Sequence, residues 1–340
     1  MVTKEMDKGE NMENINVNDS SNLKEFWHNN RVTIISYSGL LFCIILFTIV
    51  TPLTGQSIWS PEKLSTLMSD VIVTALMSVG AVFIYSLGNI DISIGKQIGL
   101  YSTILVLTGN ATGSLLPGIL LCILLSIVIA VINGASGPVF KIISIIPSVV
   151  VMQILSGIIM IIYSDLGTRS ISLKTIDYSF FKSPIVMVAV LVIEIIIAVY
   201  FFNFTAIGKY TRAIGANKTT AMQSGISIVK YRIYAYIIAG MGFVLAALFQ
   251  MGYTGSASDS TGTGFHMNVM IAIILGGMPV SGGMRSRISA AVVGAFTFSI
   301  LDVGLPLVGL PTRMTFIIKA TIFLIVVLLT SRKKYGALPK

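Results

Sequence analysis

Eight apolar blocks, each about as long as a membrane-spanning helix, dominate the sequence. They lie at 32–50, 67–87, 115–131, 146–163, 184–202, 231–251, 288–305 and 314–330. The hydrocarbon core of a bilayer requires about 20 apolar residues per helix. Only 11% of the residues are charged, against roughly a quarter in a soluble domain. The sequence therefore predicts an all-α fold, a polytopic membrane helical bundle.

Two further apolar segments, 92–107 and 267–280, are too short or too interrupted to be obvious spans. Counting them predicts about ten transmembrane helices, with re-entrant or broken segments among them. Residues 1–31 are polar and Asn-rich, and residues 332–340 form a short basic stretch. A signal peptide would run from a basic leader directly into a short apolar core, so 1–31 is interpreted as a cytoplasmic tail followed by an uncleaved first span. One transmembrane domain, 32–331, is thus expected between two cytoplasmic tails.

Basic residues gather in alternate loops, which indicates the orientation of the chain. The formal charge is +9. The loop 203–230 has no acidic residue and several basic ones, among them Lys209, Arg212, Lys218 and Lys230. Lys and Arg resist translocation, so this loop is predicted to be cytoplasmic, and an even number of spans puts both termini there too. The basic excess is therefore attributed to membrane topology and not to nucleic-acid binding.

Motifs for catalysis or metal binding are missing from the sequence. Lys96 follows Gly95, but a phosphate-binding loop needs a glycine at position 90, which is Ile90. Cys43 and Cys122 lie inside apolar blocks and offer neither a disulfide framework nor a metal-ligand spacing. A transporter without its own ATP site is therefore favoured over an enzyme.

Residues 88–95, GNIDISIG, place an Asn, an Asp and a Ser between glycines where continuous hydrocarbon is expected. An intramembrane carboxylate is costly unless it faces protein or water, so Asp91 requires polar partners. Irregular backbone at this depth is tolerated only where it is buried in protein or lines a cavity. Two interpretations stay open: a re-entrant turn in which Asp91 and Ser93 cap the next helix, and a direct role in a transport pathway.

Polar side chains inside apolar segments are the candidates for lining such a pathway. The set is Asn89, Asp91, Ser93, Gln153 and Asn268. Glu194 and Asp302 qualify on the same general ground. For Asp302, near the end of its block, snorkelling to the interface is the favoured interpretation.

Paired glycines interrupt the chain a second time, in the segment 274–287, ILGGMPVSGGMRSR. The two pairs bracket Pro279 and predict a helix that ends, turns tightly and restarts. Close helix packing by small residues is the favoured interpretation, and a moving hinge is the alternative. The candidate hinge or packing residues are Gly88, Gly95, Gly276, Gly277, Gly282 and Gly283.

The predicted cytoplasmic loop contains a short capped helix. Asn217 is a good N-cap and Gly225 suits the position after a helix end, which leaves about two turns, 218–224. Two turns are not stable alone in water, because helix nucleation is costly. The helix therefore rests on the protein's own spans or docks into a groove on a cytoplasmic partner. The whole segment is Asn217, Lys218, Thr219, Thr220, Ala221, Met222, Gln223, Ser224 and Gly225.

Three motifs in this order resemble those of the permeases of bacterial ABC importers for ribose and related simple sugars, in the branched-chain amino acid/ribose permease superfamily. GNIDISIG is similar to the family's G-G-I-D-L-S-V-G. IGKYTRAIGANKTTAMQSGIS resembles F-G-R-Y-x-Y-A-I-G-G-N-x-x-A-A-x-x-S-G-I, and ILGGMPVSGGMRSRISAAVVGAF resembles G-G-T-S-L-S-G-G-x-G-S-x-x-G-T-x-x-G-A. The resemblance covers residues 53–329. The chain departs from the family patterns at Asn89, Lys218, Thr219 and Arg285.

The resemblance implies a division of labour between subunits. Two permease subunits, identical or different, form the pathway; ATPase subunits bind the ATP; and an extracytoplasmic binding protein selects a monosaccharide. It also implies that 217–225 is the coupling helix contacting the ATPase, that this chain holds no cofactor, and that the protein lies in the bacterial cytoplasmic membrane.

Two alternatives to a monosaccharide importer stay open at this point. Within the same family, the substrate is a nucleoside or a signalling sugar. In a different class, an ion-coupled secondary transporter would use Asp91 and Glu194 as coupling carboxylates. The sequence shows no second copy of GNIDISIG, which an inverted repeat would supply, so the secondary transporter ranks last.

Overall fold

A computed structural model describes residues 33–331, so both predicted tails, 1–31 and 332–340, lie outside the described residues. The described part contains thirteen helices and one small two-stranded sheet. In chain order the elements are α1 Thr33–Leu53, α2 Pro61–Ser86, α3 Ile94–Thr112, α4 Leu116–Phe140, α5 Ile145–Asp165, β1 Ser170–Ser172, α6 Ser179–Lys182, α7 Pro184–Val199 with a π-helical turn Tyr200–Phe204, α8 Ala206–Ala216, α9 Lys218–Gln223, α10 Ile228–Thr254, β2 Ser256–Ser258, α11 Phe265–Leu275, α12 Ile288–Leu307 and α13 Thr312–Ser331.

Each of the ten predicted apolar segments coincides with a helix. Seven helices are long and apolar enough to cross a membrane: α1, α2, α4, α5, α7 with its π-helical turn, α10 and α12. Helices α3 and α13 contain 19 and 20 residues, which is also sufficient for the hydrocarbon core. Helix α11 has only 11 residues. The predicted fold class, a helical membrane bundle, is confirmed, and a short helix is part of it.

Helix α3 is longer than the sequence interpretation of 92–107 allows. The hydroxyls of Thr108 and Thr112 donate hydrogen bonds to carbonyls one turn earlier, at 2.7 and 2.8 Å. The Asn110 amide donates to the carbonyl of Ser172 at 2.9 Å. Because these polar side chains have partners on their own helix or on the adjacent loop, they continue α3 where hydropathy alone suggests its end.

Contacts between the connecting segments divide the bundle into two faces. Strands β1 and β2 pair antiparallel, so segments 166–183 and 255–264 share one face, here called the outer face. At the other, inner face, the Ser86 carbonyl accepts a hydrogen bond from the Gly283 N–H at 2.9 Å, and Arg287 donates one to the Thr33 hydroxyl. Helices α8 and α9 follow the inner end of α7. The chain thus crosses between faces in the alternation that the sequence predicts.

Helix α2 forms the centre of the bundle. In its most apolar 18-residue stretch 89% of the residues are buried, compared with 17% in α1. A Cβ on Gly80 of α2 would lie 2.9 Å from the carbonyl oxygen of Ala239 in α10, so these two backbones approach closely. Small residues permit such approaches between membrane helices. The core therefore surrounds α2, while α1, α4, α5 and α7 keep broad apolar surfaces for lipid or for other subunits.

The glycines of the two interrupted segments serve close packing and tight turns. A Cβ on Gly276 would lie 1.7 Å from the carbonyl oxygen of Ala290, and one on Gly95 would lie 2.2 Å from that of Gly262. The backbone has positive φ at four others: Gly88, Gly277, Gly282 and Gly283. These contacts agree with the packing interpretation, whereas the hinge stays a prediction.

An ion pair between the last two helices corrects the expectation for Asp302. Its carboxylate does not snorkel to the interface but accepts a hydrogen bond from the ammonium of Lys319 in α13. The ammonium also lies over the rings of Phe298 and Phe316. Asp70 of α2 lies close enough to interact electrostatically with both charges. Lys319 therefore joins α13 to α12 and α2 inside the bundle.

Removing Lys319 should destabilise the bundle more than removing Asp302. Lys319→Met leaves two carboxylates without their cation, whereas Asp302→Asn leaves Lys319 beside Asp70. Breaking a buried pair costs about 3 to 5 kcal/mol, and the lower end applies here because the Asp302 side chain is 31% exposed. The measurement is the melting temperature in detergent. If the double variant Lys319→Met with Asp302→Asn is no more stable than Lys319→Met alone, the pairing is contradicted.

Labelling should place α9 and the loop 166–183 on opposite sides of the membrane. We expect a cysteine at Thr219 to react with an impermeant maleimide only from the cytoplasmic side, because basic loops are retained there. The matched variant Thr175→Cys, in the outer loop, should react only from outside. Cys43 and Cys122 are buried and contribute little background. Labelling of Thr219→Cys from outside would invert the predicted topology.

Candidate functional site

The break between α2 and α3 is the first part of the candidate site. Helix α2 ends at Ser86 and α3 begins at Ile94, so the backbone between them is non-helical. Gly88 has φ +72, and a Cβ there would lie 2.8 Å from the carbonyl oxygen of Ser281. The two interrupted segments, GNIDISIG and 274–287, therefore lie against each other at the inner face.

Asp91 is 1% exposed and is surrounded by hydrogen-bond donors. Its Oδ1 accepts from the backbone N–H of Ser93 at 2.8 Å and from the Ser93 hydroxyl at 2.5 Å. Its Oδ2 accepts from the amides of Gln97 and Asn133, both at 3.4 Å. This set of donors replaces the water that a carboxylate loses on burial.

The predicted capping role is right for Asp91 only in part, and wrong for Ser93. Asp91 does accept one backbone N–H at the start of α3, that of Ser93. The Ser93 side chain makes no capping bond. Its hydroxyl instead accepts from Gln97 at 2.8 Å and from Asn133 at 3.1 Å. The two side chains thus connect α3 to α4 rather than finishing a helix end.

Asn89 connects the same turn to α5 and α10. Its Oδ1 accepts from the Ser144 hydroxyl at 2.6 Å and from Nη1 of Arg232 at 3.3 Å. Arg232 is 6% exposed and also donates to the carbonyl of Gly134 at 3.0 Å. The turn is therefore held by side chains from α3, α4, α10 and the start of α5.

Three members of this polar cluster escaped the sequence interpretation: Gln97, Asn133 and Arg232. Each lies within or beside an apolar segment, and an intramembrane polar residue is a functional candidate by default. The signal was therefore present. Gln97 and Arg232 lie inside the apolar segments 92–107 and 231–251, and Asn133 lies two residues beyond the block 115–131.

The pathway candidates do not form one continuous lining. Asn89, Asp91 and Ser93 are buried inside protein at 7%, 1% and 0% exposure. Gln153 is exposed on α5, and Asn268 is half-buried on α11. Across the described residues 33–331, neither of the latter two has a side-chain hydrogen bond to the cluster around Asp91. Buried Glu194 also stands apart from it, against Gly242 of α10.

Helix α9 has the ends that the sequence predicts. The Asn217 side chain accepts from the backbone N–H groups of Thr219 and Thr220 at 3.0 and 3.1 Å. At the other end, Gly225 has φ +77 and its N–H donates to the Met222 carbonyl, while Ile226 donates to that of Ala221. This bond pair is a Schellman motif, which terminates a helix. The helix covers 218–223, one residue less than predicted.

One residue of the predicted ATPase-contact segment faces the protein's own bundle. Ala221 is only 4% exposed and packs in the core. Met222 is 60% exposed. The remaining exposed positions are Asn217, Lys218, Thr219, Thr220, Gln223, Ser224 and Gly225. The helix is thus both anchored on its own bundle and open to a partner.

Helix α8 joins this exposed helix to the two interrupted segments. A Cβ on Gly215, near the end of α8, would lie 2.0 Å from the carbonyl oxygen of Ser86 and 2.8 Å from the Gly283 nitrogen. Ser86 ends α2 just before GNIDISIG, so the end of α8 lies directly against both interruptions.

The fold and the site together define a multi-pass helical membrane protein with a polar turn packed beneath an exposed inner-face helix. The chain belongs to the family described as branched-chain amino acid transport system / permease component, whose profile matches residues 63–327. Members of this family with similar sequences are transporter subunits.

Three curated relatives illustrate the range of substrates named among similar proteins. The ribose import permease protein RbsC of Escherichia coli (strain K12) is 24% identical, over 87% of this chain and 94% of the relative. The galactose/methyl galactoside import permease protein MglC of the same strain is 24% identical, over 89% and 96%. The autoinducer 2 import system permease protein LsrC of Photorhabdus luminescens is 25% identical, over 91% and 92%. No solved structure matches the chain significantly.

Replacing Asp91 with Asn should preserve much of the function, whereas Leu should abolish folding or assembly. The Asn carbonyl still accepts the Ser93 donors, and the neighbouring amides can reorient. Leu leaves the N–H and the hydroxyl of Ser93 without their acceptor, at about 1 to 3 kcal/mol each, and removes the longer bonds from Gln97 and Asn133. Expression level, melting temperature and solute uptake measure the effect. Equal damage by Asn and Leu would show that the charge itself is required.

Proposed function

We propose that the chain is the membrane permease subunit of an ATP-driven ABC importer and forms the translocation pathway for a monosaccharide delivered by a binding protein. The observation that carries this proposal is the similarity to import permeases for ribose and galactose along nearly the whole chain. A single shared motif would not be enough to support the proposal, because the same fold or local motif occurs in proteins with different functions.

The proposed contact with the ATPase is α9. Six residues cannot sustain a helix in water, so both capped ends and the burial of Ala221 serve to hold a defined outward surface. That surface presents Lys218, Gln223 and the exposed Met222. The Gly215 contact with Ser86 offers a route from ATP hydrolysis on the partner to the turn at GNIDISIG.

The proposed pathway wall includes the exposed face of α5. Gln153, Gly157, Met160 and Ser164 follow one another at helical spacing, and all four are exposed. A glutamine side chain facing lipid tails would be costly. This stripe therefore supports a position toward water or a second permease subunit, identical or different. The proposed role of Asn89, Asp91 and Ser93 is to control the pathway from inside the protein, behind this wall. Asn268 stays a candidate lining residue.

The substrate proposal is a simple sugar, with a nucleoside or a signalling sugar as the alternative. The names of the relatives favour the sugar class, but they refer to ribose, galactose and autoinducer 2. Because these relatives are all 24–25% identical to the chain, the similarity does not single out one sugar. ATP would be bound by the partner subunits, and the chain itself is proposed to need no cofactor. An ion-coupled transporter is disfavoured because Asp91 and Glu194 are not connected by hydrogen bonds among the described residues.

The proposed location is the bacterial cytoplasmic membrane, with both termini cytoplasmic. The inner face carries Lys141, Lys209, Lys218 and Arg285, and retention of such residues on the cytoplasmic side supports this orientation.

A charge at Met222 should uncouple the permease from its ATPase. In cells that contain the native partners and lack the chromosomal permease, Met222→Glu should reduce both co-purification of the ATPase and uptake of radiolabelled D-ribose or D-galactose at least tenfold. The reason is that an unpaired carboxylate would be buried in the interface. Uptake should also stop on ATP depletion but persist when the proton gradient alone is collapsed.

Two control variants make this experiment specific. Met314→Glu introduces the same charge at an exposed methionine at the outer end of α13, and we expect normal complex formation. Ala221→Glu should instead lower the amount of folded permease, because Ala221 is in the core. A Met222→Glu variant with full uptake and full complex formation would show that α9 does not contact the ATPase.

A further inference from the structure

A cavity opens on the outer half of the bundle, away from the inner-face site. It has a volume of about 470 Å³ and lies between the outer end of α5, the start of β1 and the segment after β2. Its polar lining consists of Ser156, Tyr163, Ser164, Thr168, Arg169 and Asp259. Ile159 and Met160 contribute an apolar wall. Small-molecule sites commonly occupy roughly 300 to 1,000 Å³ and combine apolar walls with a few polar groups in this way.

The cavity reaches well into the bundle because the segment after β2 descends along α3. A Cβ on Gly99 would lie 2.5 Å from the carbonyl oxygen of Thr261, and one on Gly95 would lie 2.2 Å from that of Gly262. The outer end of α3 is marked by Asn110, which bonds to the loop after α5. At 1.5 Å per residue, Gly99 lies about 16 Å below Asn110. Segment 259–264 is therefore non-helical backbone at membrane depth.

Such backbone is tolerated only where protein buries it or where it lines a water-filled cavity. Asp259, at its start, does line the cavity. Lys96 of α3 anchors the segment from behind, donating to the Asp259 carbonyl at 3.5 Å and to the Thr263 hydroxyl at 3.4 Å. The segment is thus fixed in place with its first side chain, the carboxylate of Asp259, on the cavity side.

Two opposite charges face this cavity without pairing with each other. The Asp259 N–H donates to the Arg169 carbonyl at 3.2 Å, so the two residues are neighbours. Their side chains nevertheless form no salt bridge; the ion pair found in the described part of the chain is that of Lys319 with Asp302. A carboxylate accepts two hydroxyl protons and a guanidinium donates several N–H bonds. Both groups therefore remain available to a polar ligand.

The chemistry of the lining matches a neutral polyhydroxylated molecule. Asp259 would accept from adjacent hydroxyls, Arg169 would donate to ring or hydroxyl oxygens, and the Ser164 and Thr168 hydroxyls would do either. Met160, the exposed apolar residue of the lining, suits the C–H face of a sugar ring. One positive and one negative charge leave the cavity without a net charge, so it does not attract a simple anion or cation.

We propose that this cavity is a sugar-binding vestibule, in which Asp259 and Arg169 receive a monosaccharide as it enters the permease from the outer side. The inference rests on the proposed function and assigns residues to the entry half of the pathway. Because the binding protein sets the apparent affinity, loss of the vestibule should lower the maximal uptake rate more than it raises KM.

The test measures D-ribose and D-galactose uptake in cells that contain the native partners. We expect Asp259→Ala and Arg169→Ala each to lower maximal uptake at least tenfold, while the ATPase still co-purifies with the permease. Asp259→Asn retains a hydroxyl acceptor and should keep most of the uptake. The matched controls are Asp165→Ala and Lys174→Ala, exposed charges of the outer face that do not line the cavity, and these should behave as wild type.

The outcomes separate this inference from the proposed function. If Asp259→Ala and Arg169→Ala both take up sugar at the wild-type rate, the vestibule is refuted, whereas the proposed function as a sugar importer is not. The other contrary result has two parts: the wild type takes up L-leucine but neither sugar, and Asp259→Asn loses the L-leucine uptake. That result would overturn both the sugar assignment of the cavity and the proposed substrate. In that case the two charges would hold the ammonium and the carboxylate of a zwitterion.

Discussion

Backbone polar groups that leave a helix inside a bilayer must find partners within the protein, because lipid offers none. The two interruptions of this bundle satisfy that requirement on each other. The Gly283 N–H bonds to the Ser86 carbonyl, and Gly88 brings its backbone against that of Ser281. Asp91 supplies an acceptor for the Ser93 N–H. The most irregular parts of the chain are therefore packed together at the inner end of the central helix.

The short inner-face helix α9 is connected to these interruptions through α8. Gly215 of α8 contacts Ser86, the residue at which α2 ends and the first interruption begins. Interrupted segments in packed proteins have a small number of discrete arrangements rather than a continuous range. Under the proposed function, a partner that held α9 in one of two positions would select between arrangements of the turn, without a nucleotide site in the permease itself.

Buried charge is accommodated in different ways at the two depths of the bundle. Near the inner face, Asp91 accepts hydrogen bonds from neutral donors, and Arg232 donates to Asn89 and to a backbone carbonyl. In the outer half, Lys319 meets Asp302 directly, with Asp70 nearby. An ion pair gains most where water is excluded, but only with good geometry. The dispersed donors around Asp91 instead divide the stabilisation of its charge among several separate hydrogen bonds.

Local features of this protein followed from its sequence alone: the ten apolar helical segments, the two interruptions, and the capping residues of α9. Block length, paired glycines and capping residues act over a few neighbours, so reading the chain in order is sufficient. The motifs also indicated the permease family before any contact was known.

Only the tertiary structure decided which polar residues meet and which side of each helix is covered. Asp91 and Asn133 are 42 positions apart, and Asn89 and Arg232 are 143 apart. The structure also buries Ala221 while exposing Met222, and brings Arg169 beside Asp259. Hydrophobic patterning could not reveal these arrangements, because lipid is as apolar as the protein core. A membrane helix therefore shows little difference in sequence between the face that packs and the face that meets lipid.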